Sequence, residues 1–452
     1  MSKGISPCKF SKSHHNEGVF NLTCGVKKVK KKKAPWKIFI AIALGIAAGM
    51  LTGKTQTLFG VTFFSLYDIL GQLFINALML IVVPLVSSSI ITGIARIGND
   101  SAFGRLGFKI FGFYIGTSLL AILIGLACMN IFNPGSVFSS TELITQPDNI
   151  LLLKKDITEQ SSVSLTHLLL QMVPASFLDV FQRPSLGLVV FSLVFGYALS
   201  KIETQPLSIL LGFWQGIFQT TIAITEIVMH FLPLGVFCLV AKSFAESGLG
   251  SLQSLALFFI TVVIGLAIFM FIGLPLLLKF IAKVNPMNHF RAMAPALVTA
   301  FSTSSSSATL PVTIECVEKG AGVSNRICSL VVPLGTSINM SGSALYECVA
   351  ALFIAQAYGV ELTFAIQLMI VVLSLVTSIG IAGIPSASIV AIIVILKAIG
   401  LPAEGVGLLF AVDRILDMCR TTVNVFSDSC CAVLVAATEG ESELYSSLPE
   451  KV

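Results

Sequence analysis

Five ionisable residues near the end of the chain, Asp413, Arg414, Asp417, Arg420 and Asp428, together with Asn424, interrupt a run otherwise apolar enough to cross a bilayer. Each ionised group at mid-membrane costs on the order of 2.5–3.5 kcal/mol on the insertion scale. Such a cluster persists only with partners or solvent. At roughly 100° per residue, positions 413, 417, 420, 424 and 428 fall within about 80° of arc, and Arg414 sits off the edge of that stripe. One reading is structural: Asp417 and Arg420 are three apart, can pair locally and would then fix helix packing. The other is functional, because three aspartates against two arginines leave negative charge that suits a bound cation.

Two further polar interruptions carry chemistry. The first is Ser302-Thr303-Ser304-Ser305-Ser306-Ser307, with Pro311 close behind, inside the apolar segment 292–318. A helical turn at membrane depth leaves the first backbone N–H groups of the following helix unpaired. With the helix dipole they form an anion site suited to a carboxylate. The second is Pro333-Leu334-Gly335-Thr336-Ser337-Ile338-Asn339-Met340-Ser341-Gly342-Ser343. Its small hydroxyl residues and Asn break an apolar helix and expose carbonyls that can ligate a hard cation.

The elements that must position these groups follow from composition. Of 452 residues 55% are hydrophobic and only 11% charged, about half the charge of a soluble domain, and mean hydropathy is +0.93. The chain therefore reads as an all-α integral membrane protein. Apolar runs at 37–59, 66–95, 107–132, 164–202, 206–241 and 251–283 are expected to cross the bilayer. A polar loop is expected at 133–166. The tract Lys27-Lys28-Val29-Lys30-Lys31-Lys32-Lys33 precedes the first run, and basic residues recur at Arg96/Arg105/Lys109, Lys201 and Lys279/Lys283/Arg291. A cytoplasmic N-terminus and six spans put all of them on one face. Lys319 and Arg326 stay on that face only if 292–323 enters and leaves from the same side, as a re-entrant hairpin. A second hairpin is expected at 362–400, broken by Gly380, Gly383 and Pro385. Residues 1–35 read as a basic cytoplasmic tail without a cleavable leader, 36–436 as the transporter domain and 437–452 as a C-terminal tail. The sequon at Asn21 would then never meet the glycosylation enzyme. The scattered cysteines show no metal-ligand spacing. Buried thiols are expected.

The motifs TSSSSATLP at 303–311, INMSGSALYE at 338–347, SIGIAGIP at 378–385 and DRILDMCRTTVNVFSD at 413–428 resemble those of the dicarboxylate/amino acid:cation symporters, a family that includes excitatory amino acid and archaeal aspartate transporters. YIGTS at 114–118 and FNPG at 132–135 are similar as well. The resemblance covers about 36–440 and implies eight transmembrane helices, two re-entrant hairpins, inverted repeats and a homotrimer. It also implies a scaffold built mostly of helices 1, 2, 4 and 5, around a transport core of helices 3, 6, 7 and 8 with the hairpins. Arg420 would then hold the substrate's side-chain carboxylate, and Asp417 its amino group. Thr421 and Asn424 would add hydrogen bonds, and Ser305 and Ser306 would hold the α-carboxylate. Ser343, Ile384 and Ser388 would complete the substrate pocket. One sodium site would use Gly335, Asn339, Asn424 and Asp428, and a second Ser337, Ser378, Ile379 and Ile381. A third would use Tyr114, Thr117, Ser118 and Asn339, with Ser341 beside them.

The chain departs from the family pattern at Ser341 and Ser343, where Asp and Thr are usual, and at Ser386 and Ser388, where glycines are common. The loss of a charge at Ser341 weakens the third cation site and leaves sodium or proton coupling open. The family's additional arginine is replaced by Ser304 and Met418, and Arg414 stands one turn before Met418. The expected activity is import of glutamate or aspartate into a bacterial cell across its inner membrane, driven by Na+ or H+, with no organic cofactor and no nucleic-acid partner. A C4 dicarboxylate is the alternative substrate, although it would meet Asp417 with a carboxylate in place of an amine. An intramembrane serine protease would need a base beside Ser304–Ser307, and His289 is expected at the membrane edge instead. No ring-forming filter signature supports a channel.

Overall fold

Long apolar runs satisfy their backbone internally, and in a bilayer this selects helices. The computed structural model describes residues 36–58, 61–98, 104–137, 186–247, 250–360, 362–379, 387–441 and 444–445. Among them, the sole β pairing joins Thr57–Leu58 to Val61–Thr62. The helices are α1 (Trp36–Thr52), α2 (Phe63–Gly98), α3 (Gly104–Phe132), α4 (Leu186–Leu199), α5 (Thr204–His230), α6 (Leu232–Ser247) and α7 (Gly250–Ile268). After them come α8 (Pro286–Thr303), α9 (Ser306–Glu315), α10 (Asn325–Ile338), α11 (Ser341–Ala357), α12 (Phe364–Ser378), α13 (Ala387–Ala398) and α14 (Phe410–Thr438). Six helical stretches among the described residues are long and apolar enough to cross a membrane: Phe63–Ala95, Leu106–Phe132, Thr204–His230, Gln253–Ala282, Asn325–Ala357 and Ala403–Thr438. The basic tail, most of the loop expected at 133–166 and residues 380–386, where the second hairpin is expected to break, lie outside the described residues.

Two expected runs resolve differently. The run 206–241 is not one rod: α5 ends at His230, Phe231 caps it and α6 restarts at Leu232, with Pro233 in its first turn. Proline is tolerated there because the first helical amides have no intrahelical partner. The first hairpin begins at Pro286, earlier than the expected 292. Asn285 caps it by accepting from the Met287 amide at 3.0 Å.

The centre of the molecule is α11. Every residue from Ser341 to Ala355 is buried, as expected for a helix enclosed on all sides. It packs against α3, α12, α13 and α14, and Phe353 stacks on Phe258 of α7 with ring centroids 4.5 Å apart. α14 is buried along most of its length, whereas α5 is largely exposed. The chain after α14 folds back onto the first hairpin. The Tyr445 amide donates to Ala321 O at 2.9 Å, and Glu441 accepts from the Ser324 amide at 3.0 Å and from its hydroxyl. Burial pushes the Tyr445 phenol above its ordinary pKa.

Candidate functional site

The first hairpin turns through Ser304 and Ser305. Ser304 adopts a left-handed backbone with φ of 50°, and its amide donates to Ala300 O at 2.9 Å, which closes α8. Ser305 is extended and caps α9, its hydroxyl accepting from the Ala308 amide at 3.3 Å. The first intrahelical bond of α9 runs from the Thr309 amide to Ser305 O at 3.1 Å. The amides of Ser306 and Ser307 precede it and belong to the helix's anion-attracting end. The Ser304 hydroxyl is buried with no hydrogen-bond partner.

Between α10 and α11 the chain leaves helical geometry at Asn339 and Met340. Asn424 on α14 repairs the break. Its Oδ1 accepts from the amides of Gly342 at 2.8 Å and Ser343 at 3.3 Å, and its Nδ2 donates to the Ser343 hydroxyl at 3.0 Å. Gly342 permits this contact, since a Cβ there would lie 2.9 Å from Arg420 O.

The polar stripe of α14 divides into two groups. In the first, the buried Arg420 donates from Nη1 to Asp413 Oδ1 at 3.0 Å and from Nη2 to Asp417 Oδ1 at 2.8 Å. Arg414 Nη1 lies 3.4 Å from Asp417 Oδ2. Asp417 is thus bridged by two guanidinium groups, and two arginines balance two aspartates. The second group surrounds Asp428. Asn339 Nδ2 donates to Asp428 Oδ1 at 2.9 Å and to Ser427 Oγ at 3.1 Å, while Asn339 Oδ1 accepts from Thr117 at 3.0 Å and Ser341 at 2.9 Å. Ser341 also meets Ser118 at 3.2 Å and Ser427 at 3.1 Å. Asp428 Oδ2 is buried with no partner. A Cβ at position 335 would stand 2.5 Å from Asp428 Oδ1, so only glycine lets α10 pass.

The expected residues therefore come together unevenly. Asp417, Arg420 and Thr421 share the buried upper face of α14. Thr117, Ser118, Asn339, Ser341 and Asp428 form one cluster with Gly335 against it. Tyr114 is buried but donates to Val331 O at 2.5 Å. Ser337 lies in the last turn of α10, and Ser378 and Ile379 lie at the end of α12. Ser388 is buried on α13. Ile381, Ile384 and Ser386 lie outside the described residues. His289 lies in the first turn of α8 and is buried in the protein: its ring nitrogens meet Ser429 Oγ at 2.9 Å and Tyr445 Oη at 2.8 Å. Thr303, where that arm ends, is about 21 Å further along the helix at 1.5 Å per residue, so His289 is no base for the serines.

Sequence reasoning gave no role to Tyr346, Glu347 or Ser427. Tyr346 stacks on Arg420, with Cζ 3.9 Å from the ring centroid. Glu347 is fully buried, accepting from Thr377 Oγ1 at 2.9 Å through one oxygen and leaving the other without a partner. An ionisable residue inside the apolar run 344–357 was a readable signal. Ser427 was not, because serine is unremarkable in a membrane helix.

Broken helices, a serine-capped hairpin and an enclosed charged stripe on a set of membrane-length helices define a polytopic membrane protein with a binding core. The sequence profile of the sodium:dicarboxylate symporter family matches residues 35–438, and the chain belongs to that family. It is 34% identical over 405 residues to a proton/sodium-glutamate symport protein of Bacillus subtilis (strain 168), covering 89% of this chain and 92% of that one. Against a proton/glutamate-aspartate symporter of Escherichia coli (strain K12) identity is 33% over 416 residues, covering 92% and 94%. Against excitatory amino acid transporter 3 of Homo sapiens it is 32% over 457 residues, covering 89% and 87%.

Proposed function

We propose that this protein is a secondary active symporter that imports glutamate or aspartate with sodium ions or protons. The observation that carries this reading is the buried Arg420–Asp417 pair, an anchor for a carboxylate beside an anchor for an amine. Substrate enters by exchange. Its side-chain carboxylate takes Arg420 and its amino group takes Asp417, so each buried charge changes partner without being stranded. Thr421 and Asn424 flank the pair, and the Ser305–Ser306 turn offers its amides to the α-carboxylate. Ser343 orients Asn424, and Ile384 and Ser388 of the second hairpin close the pocket.

The cations are co-substrates. The unpartnered Asp428 Oδ2 and the hydroxyl and amide oxygens around it are hard donors that fit sodium. Gly335, Asn339 and Asn424 carbonyls would complete that site. Thr117, Ser118 and Ser341, with Tyr114, would form a neighbouring one. Ser337, Ser378, Ile379 and Ile381 would form a third at the second hairpin. Glu347, a buried carboxylate with no cation bonded to it, is a further place where a proton or a cation can balance charge.

The architecture is read as eight spans and two hairpins in inverted repeats, in the plasma membrane with the N-terminus cytoplasmic. Helices 1, 2, 4 and 5 would form the scaffold of a homotrimer. The exposed face of α5 supports this: Gly212 and Gly216 have nothing beside them, and Gln219, Thr220 and Glu226 are exposed on the same helix. Small residues four apart with polar neighbours pack helix on helix in bilayers.

Purified protein in liposomes should accumulate labelled aspartate or glutamate under an inward sodium gradient, with pH scanned independently. No uptake of either under any sodium or proton gradient would defeat the reading. A C4 dicarboxylate is the second reading, favoured by the extra guanidinium of Arg414 beside Asp417. Succinate displacing aspartate at lower concentration would decide for it.

A further inference from the structure

The Arg420 guanidinium is held by more than its salt bridge to Asp417. Nη1 is bonded to Asp413 Oδ1, and Cζ lies over the Tyr346 ring, 3.9 Å from its centroid. The Tyr346 hydroxyl donates to the same Asp413 oxygen at 3.2 Å. Arg420, Asp413 and Tyr346 therefore close a circuit between α14 and α11. Arg420 Nε is buried and has no partner.

A guanidinium has two edges that can grip a carboxylate bidentately: the end edge formed by Nη1 and Nη2, and the side edge formed by Nε and Nη2. Asp413 bonds Nη1 and Asp417 bonds Nη2, so both nitrogens of the end edge already have an acceptor. Nη2 carries two N–H groups, one of which suffices for Asp417. With Nε unpartnered, the side edge is where donor capacity remains.

We propose that Asp413 and Tyr346 are positioning residues for substrate selection: they fix the plane of Arg420 so that its Nε–Nη2 edge alone is offered to a substrate carboxylate. The inference rests on the reading of Arg420 as the carboxylate anchor and adds what makes that anchor selective. A buried guanidinium edge left without an acceptor penalises any substrate whose side chain lacks a second carboxylate. If the plane is free to turn, Arg420 swings its end edge onto Asp417, satisfies itself and loses that discrimination. The arrangement also explains why two aspartates face one arginine: Asp417 serves the exchange, and Asp413 does not move.

The test is competition of unlabelled aspartate and asparagine against labelled aspartate in proteoliposomes, for the wild-type protein, Asp413→Asn and Tyr346→Phe. Asp413→Asn keeps an acceptor of the same shape but removes the charge, and Tyr346→Phe keeps the ring but removes the hydroxyl. The aspartate-over-asparagine preference should fall about tenfold in Asp413→Asn, the scale of one charge-assisted hydrogen bond. It should fall about threefold in Tyr346→Phe, with asparagine affinity unchanged in both. A merely structural role would weaken both substrates in equal proportion. Unchanged preference, or equal loss of both substrates, in the variants that transport overturns the proposal. If Asp413→Asn fails to insert, Tyr346→Phe decides it. Absence of aspartate binding by the wild-type protein overturns the acidic-substrate reading, and this proposal with it.

Discussion

The upper and lower halves of α14 carry the same kind of residue and do opposite things with it. From Asp413 to Arg420, two aspartates and two arginines neutralise one another within the helix. About 12 Å further along, eight residues at 1.5 Å each, Asp428 has no arginine or lysine paired with it among the described residues. It is held by Asn339 and the hydroxyls beyond it, with one oxygen unclaimed. The first group suits a ligand that brings both signs of charge and can trade partners with an existing pair. The second suits a bare cation or a proton, since neutral donors fix its shape but leave its charge uncancelled. Symport needs both, and the break at Asn339–Met340 ties them together. Asn424 holds that break on the side of Arg420, and Asn339 ties it to Asp428.

Asp428→Asn should have the largest effect on this contrast. It keeps the shape but removes the negative charge, and cation-dependent uptake should fall by about a hundredfold or more, the scale of losing one partner of a buried charged contact. Retention of wild-type sodium and pH dependence would show that the lower half is ordinary packing. Gly335→Ala comes next. It drives a Cβ to within 2.5 Å of Asp428 Oδ1, and the forced shift should cost about 1–3 kcal/mol and weaken cation affinity more than aspartate affinity at saturating cation. Ser341→Ala removes hydroxyl contacts to Ser118, Asn339 and Ser427. Its neutral hydrogen bonds are worth about 1 kcal/mol net, so a severalfold rise in half-saturating cation is expected. Glu441→Ala, which loses only an exposed cap on Ser324, should change thermal stability by less than about 1 kcal/mol and leave uptake unaltered.

The angular spacing of α14 was enough to read its stripe, because helix geometry dictates which side chains share a face. The positive-inside rule led to a re-entrant hairpin at 292–323; what the structure shows there is α8 and α9 meeting at a turn at Ser304–Ser305 and packing on each other. The division of the stripe into two chemistries came from the family resemblance alone and not from spacing. It depends on Tyr346 arriving from α11 and Asn339 from the break before it, and no local spacing encodes a contact across 67 or 89 positions of sequence. The separation of α5 from α6 was missed for a different reason. The residues around Phe231 are apolar on both sides, and hydropathy does not register a one-residue break in the helix beside Pro233.

In the proposed mechanism Arg420 is the carboxylate anchor, and Asp413, Asp417 and Tyr346 hold it for exchange. Binding of aspartate to purified wild-type protein and Arg420→Ala, at saturating sodium and fixed pH, tests it most directly. The variant should lose at least about a hundredfold in aspartate affinity while asparagine binding changes far less, as expected when one charged partner is truncated. Undiminished aspartate affinity in a folded Arg420→Ala protein would contradict the account.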